Sequence, residues 1–223
     1  MKKFLAIWRQ RIHFFRLEYF TKLRKKDFET IKSQKTPVVL VAGIYASGRS
    51  LLPMKKFLER KGYPVHLAPE KKNYESVLIL ARRLEKQIQK IPAQKVQIVA
   101  HSMGGITALQ ALQNPKIFAK VVQVVTLGSP LNGCRLGNLA FWEHWNNQKY
   151  LALHSPAIKK INSHKKINQK ICTLYACFDE IVFPKRNMKL KNAKENKELP
   201  TYGHTGLILY RRTWKEVAKR LVK

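Results

Sequence analysis

The sequence predicts an α/β protein with a mostly parallel central sheet flanked by helices, preceded by one extra amphipathic helix. Three observations lead there. Short apolar runs recur at residues 38–42, 63–68, 95–100, 121–127 and 171–176, each the length of a strand buried on both faces. Segments with helical spacing lie between them. The 223 residues, 45% hydrophobic with 10 Gly and 10 Pro, suffice for one domain with a real core and match neither a collagen-like nor a disordered composition.

Taken in order, residues 1–36 form a basic N-terminal unit. Phe4, Trp8, Ile12, Phe15, Tyr19 and Leu23 recur every three or four residues, with Arg9, Arg16, Lys22, Lys25 and Lys26 mainly between them, which predicts a helix over residues 4–31. The pattern leaves three uses open. The stripe packs on the domain, lies in a membrane interface with its cations on anionic lipid, or contacts a partner protein. Residues 37–223 then form the α/β unit. Helices are expected at 50–61, 73–90 and 103–113, the last closed by Asn114-Pro115. Residues 131–168, with Trp142, Trp145 and several His and Asn, break the rhythm and read as an excursion of lid or cap type. Residues 185–198 are Lys-rich with a short edge strand at their end. Residues 205–222 read as a closing helix with Leu207, Tyr210, Trp214, Val217 and Leu221 on one face.

The charge is the unusual quantity: 44 Lys+Arg against 13 Asp+Glu, a net +31. It is +8 in residues 1–36, +11 in 37–154 and +12 in 155–223, so the excess is global rather than a basic tail. Such a surface attracts anionic partners. An anionic membrane surface is expected. Nucleic acid is disfavoured, since no recognised binding motif occurs, but it stays open. No run approaches 18 apolar residues, so no transmembrane helix is expected. The apolar stretch before Arg9 is too short for a secretory signal. Cys134, Cys172 and Cys177 cannot all pair, and their spacing fits no metal site. The expectation is a reduced, cytoplasmic setting with a peripheral position on the inner face of the membrane, and no metal or cofactor. His144, His154 and His164 recur every ten residues, a spacing that is not that of helical ligands.

The chemistry concentrates at Ala100-His101-Ser102-Met103-Gly104, after the third strand and at the start of a helix. A serine on so sharp a turn needs small residues two positions away on either side, and Ala100 and Gly104 supply them. The helix start aims N–H groups and the positive end of its dipole at the reacting centre. Partners of such an elbow follow in the order acid, then His. The one histidine after residue 179 is His204, in a loop before the last helix. The chain has two aspartates: Asp27 precedes the serine, and Asp179 follows the 171–176 strand, with Glu180 as its local competitor. The expected catalytic residues are Ser102, Asp179 and His204. The oxyanion donors would be the backbone N–H groups of Met103 and of Ile44, the latter from the loop after the first strand.

These stretches resemble the α/β-hydrolase superfamily, specifically small bacterial lipases and esterases with an Ala-His-Ser-Met-Gly-Gly elbow. Further matches are residues 38–43, Gly62-Tyr63-Pro64, residues 126–133, residues 153–162 and His204-Thr205-Gly206-Leu207, covering about residues 37–222. The resemblance implies carboxylic ester hydrolysis, with lipid acyl esters as substrate. Two departures stand out. Ala42-Gly43 replaces the usual His-Gly after the first strand, and Leu131-Asn132 replaces the His expected after Gly-Ser-Pro. The N-terminal helix and the charge lie outside the family pattern. The same scaffold also supports thioesterases, amidases and acyltransferases. A basic, non-catalytic module that binds membrane or nucleic acid is the alternative from another class.

Overall fold

A computed structural model describes residues 2–68, 75–135 and 148–223. In chain order the elements are α1 (Lys2–Phe20), β1 (Val38–Val41), α2 (Leu52–Glu59), β2 (Val65–Leu67), α3 (Val77–Lys90), β3 (Val96–His101), α4 (Met103–Ala111), α5 (Pro115–Lys120), β4 (Val121–Leu127), three short helices α6 (Gln148–Leu151), α7 (Pro156–Asn162) and α8 (Lys165–Asn168), β5 (Ile171–Phe178), β6 (Glu195–Tyr202), α9 (Gly206–Leu209) and α10 (Arg211–Arg220). The strands form one sheet in the order β2-β1-β3-β4-β5-β6, and every neighbouring pair is parallel.

The apolar runs bury both faces because alternate residues serve opposite cores. Val39, Val41, Ile98 and Ala100 pack with α3, α4 and α7 on one side. Val38, Leu40, Val99 and Leu127 pack with α2, α9 and α10 on the other. At the floor of the sheet Gln97 is fully buried and clasps both ends of the α/β unit. Its Nε2 donates to the carbonyls of Thr36 and Val222, each at 3.0 Å, and its Oε1 accepts from Val222 N–H at 2.9 Å.

Several elements differ from the sequence expectation for local reasons. The first helix stops at Phe20 rather than residue 31. Asp27 Oδ2 takes the Arg24 N–H at 2.8 Å and opens a single 3-10 turn, so a side chain competes with the helix for backbone. Helix α3 begins at Val77, where Ser76 accepts from Ile79 N–H, rather than at residue 73. Asn114-Pro115 opens a helix as well as following one, because Asn114 accepts from Lys116 N–H and Pro115 suits the first turn. The closing helix is two helices parted at the extended Tyr210, with Trp214 Nε1 donating to the Ile208 carbonyl at 2.7 Å. The short edge strand is the eight-residue β6. Its exposed edge is faced by charge, Arg220 gripping Glu195 through two 2.6 Å bonds. Of the excursion at 131–168, residues 136–147 lie outside the described residues, and with them Trp142, His144, Trp145 and the lid expectation.

Helix α1 lies across the top of the sheet and docks through a face that the aromatic pattern does not reveal. Ile7, Gln10 and Glu18 are buried. The Glu18 carboxylate accepts from Ser47 N–H at 2.9 Å, Ser47 Oγ at 2.6 Å and Ser50 N–H at 3.0 Å. Gln10 donates to the Tyr210 hydroxyl. The expected stripe is turned outward: Phe4 is 74% exposed and Trp8 66%, with Ile12, Phe15 and Tyr19 also exposed, while Leu23 is half-buried. Among the described residues no helix is long and apolar enough to cross a membrane.

Candidate active site

Strand β3 runs straight into the elbow. Ser102 sits at φ 53°, ψ −128°, a left-handed conformation costing a non-glycine residue about 1–3 kcal/mol. The surroundings over-determine it. Ser102 N–H donates to the Leu127 carbonyl at 2.9 Å, and its own carbonyl accepts from Gly105 N–H at 3.0 Å. A Cβ on Gly104 would stand 2.6 Å from the Ala42 carbonyl oxygen, so only glycine lets α4 start this close to β1. A Cβ on Gly43 would lie 2.8 Å from Ser102 Cβ, so the loop after β1 reaches the elbow only without a side chain. The Ile44 and Met103 N–H groups flank this contact, and neither has an acceptor among the described residues.

At the end of β5, Asp179 is almost wholly buried. Its Oδ1 accepts from the N–H groups of Ile181 (2.9 Å) and Val182 (2.8 Å), and its Oδ2 meets His204 Nδ1 at 2.7 Å. Burial alone would raise this carboxyl. The His204 charge, the bond to the ring and the two backbone donors outweigh it and hold the group below the usual carboxylate range. Burial alone would likewise lower His204, but Asp179, through charge and hydrogen bond, and then Glu180 lift it above its ordinary 6.5, against a smaller opposing effect of Arg11. Glu180, the competitor on sequence, does another job. Its Oε2 accepts His204 N–H at 2.9 Å, and its Oε1 lies 3.4 Å from Arg11 Nε on α1.

Ser102 and His204 face one cavity of about 460 Å³, walled also by Ile44, Tyr45, Ile181 and, from α1, Arg11, Phe14 and Phe15. The Asp179–His204 bond is made, and no hydrogen bond joins Ser102 Oγ to the His204 ring. Asp27 is on the exposed turn after α1, outside this cavity. Among the described residues no group of three His, Cys, Asp or Glu side chains could hold a metal ion. His154 and His164 are exposed, and among the described residues no disulfide joins Cys134, Cys172 or Cys177.

Several contributors escaped the sequence reading. His101, the variable residue of the elbow, is buried with its ring 4.7 Å from that of His204 and its Nε2 3.3 Å from the His204 carbonyl oxygen. Burial and then the His204 charge push it down to about 3, which leaves a neutral ring packed against His204. Gly128, at φ 59°, backs the Asp179–His204 pair, and a Cβ there would lie 3.3 Å from both Asp179 Oδ2 and His204 Nδ1. Its sequence signal was present in the Gly128-Ser129-Pro130 match. Gln10 and Arg11 had none, because polar docking contacts leave no hydropathy period.

This architecture is the α/β-hydrolase fold. The mature form of the Bacillus licheniformis lipase BlEst2 superposes with a TM-score of 0.67 at 17% identity, over 84% of this chain and 93% of that one. Aspergillus fumigatus lipase B gives 0.68 at 16% identity, over 84% and 52%. The α/β-hydrolase MGS-MChE2, from the metagenome of lagoon sediments at Mar Chica, Morocco, gives 0.58 at 21% identity, over 89% and 95%. More specifically, residues 70–192, over half of the chain, match the model of the PGAP1-like alpha/beta domain, and the chain belongs to that family. Ser102 and Asp179 fall inside the matched residues, and His204 follows them.

Proposed function

We propose that the chain is a serine hydrolase that cleaves carboxylic esters of lipids at an anionic membrane surface. The observation that carries this reading is the 2.7 Å Asp179–His204 pair opening onto the cavity of the strained Ser102. In the proposed reaction Ser102 Oγ attacks the ester carbonyl while His204 Nε2 takes its proton. Asp179 holds Nδ1–H and stabilises the imidazolium. The tetrahedral oxyanion would accept from the Ile44 and Met103 N–H groups, which have no acceptor among the described residues. His204 returns its proton to the departing alkoxide, leaving an acyl-enzyme. Water, activated by the same base, then releases the acid and restores Ser102.

Support for the surface comes from the outward aromatics of α1 beside a net charge of +31. The test of the chemistry is turnover of a p-nitrophenyl acyl ester. Ser102→Ala should lower kcat by at least about 10^4-fold. Equal rates for the two chains would remove Ser102 from this role.

A further inference from the structure

A second, larger concavity of about 600 Å³ runs along α1, within the range of ligand pockets. Its walls are apolar side chains that a folded chain normally hides: Phe4, Trp8 and Ile12 on one side and Phe178 on the other, all exposed. Arg11, Phe15 and Glu180 line both this groove and the Ser102 cavity, so the two spaces adjoin at those three residues. The Arg11–Glu180 pair puts polar atoms at the junction, and beyond it the lining is mostly hydrocarbon.

We infer that this groove holds the acyl chain of the ester, an inference that rests on the hydrolase reading above. For a ligand whose carbonyl sits at Ser102, the groove adjoining at Phe15 offers apolar surface to a chain without polar atoms. The outer wall of the groove is α1, an element outside the residues that match the family. The helix facing the bilayer is thus also the wall along which an acyl tail reaches the serine.

The test is a series of p-nitrophenyl esters from acetyl to decanoyl, each below its micelle-forming concentration and without vesicles. Burying a methylene is worth about 0.8 kcal/mol, about fourfold in kcat/KM, so the wild type should climb toward that slope with chain length. Trp8→Asp and Ile12→Asp should each cut the decanoyl-to-acetyl ratio at least tenfold. Leu5→Asp, on the same helix but outside the groove, should leave the ratio unchanged. Unchanged ratios in the first two variants, or an equal fall in the third, would overturn the assignment. A second readout needs no turnover. A doxyl-labelled fatty acid should quench tryptophan emission of the wild type, and Trp8→Phe should remove that component; no quenching, or quenching undiminished in Trp8→Phe, overturns the groove. If the wild type hydrolyses no ester, the hydrolase reading falls and the quenching alone decides the groove.

Discussion

At Gly105 one missing atom fixes how α4 meets the strand-end segment of β4. A Cβ there would stand 2.1 Å from Ser129 Oγ and 2.6 Å from Ser129 Cβ. Gly105→Ala should therefore destabilise by about 1–3 kcal/mol in denaturant titration, and adding Ser129→Gly should recover most of it, a coupling that a double-mutant cycle reads directly. The base offers a second test. In the proposed role His204 must be neutral to accept the serine proton, and Asp179 and Glu180 raise its pKa from 6.5, so kcat/KM should rise through an ionisation above that pH. Arg11→Ala removes a charge that lowers His204 and should move this limb to higher pH. Glu180→Gln removes one that raises it and should move the limb to lower pH. Shifts of the same sign would dismiss the Arg11–Glu180–His204 linkage. The residues legible in sequence were those whose chemistry fixes their type: a serine on a small-residue turn, the last histidine, the aspartate at a strand end. His101 and Glu180 were not, because their parts depend on which loop folds over which.

At the scale of elements, period and punctuation located the strands well, since a strand buried on both faces has little choice but a continuous apolar run. The ends of helices were less legible wherever a side chain far along the chain set them. Helix α1 is the clearest case. Its aromatic periodicity is real, yet the face that docks is held by Glu18 and Gln10. Glu18→Ala would strand the buried Ser47 and Ser50 N–H groups. Bonds to a charged acceptor are worth about 1.5–3 kcal/mol each, and part of that should be lost here. Faster amide exchange confined to α1 and residues 47–50 would mark local undocking; protection equal to that of the wild type would show that the carboxylate does not anchor the helix.

For the whole molecule, the even spread of positive charge predicts association with anionic membranes that salt weakens. Cosedimentation with phosphatidylserine-containing vesicles should fall steeply between about 50 and 500 mM salt, within and beyond the range where the Debye length covers a protein surface. Phe4→Ser with Phe20→Ser should reduce what binding remains at high salt. Tighter, equally salt-sensitive binding to DNA would reassign the surface. Composition revealed the charge at once but could not orient it, because orientation depends on which side of α1 faces the sheet.

The Gln97 clasp has a practical corollary. Two of its three side-chain bonds go to Val222, in the segment that follows α10. A chain cut after Arg220 would leave a carboxamide in the sheet floor with two of its three side-chain bonds gone. Preparations that differ only by that cut should melt at different temperatures, so intact mass belongs beside every stability measurement made on this chain.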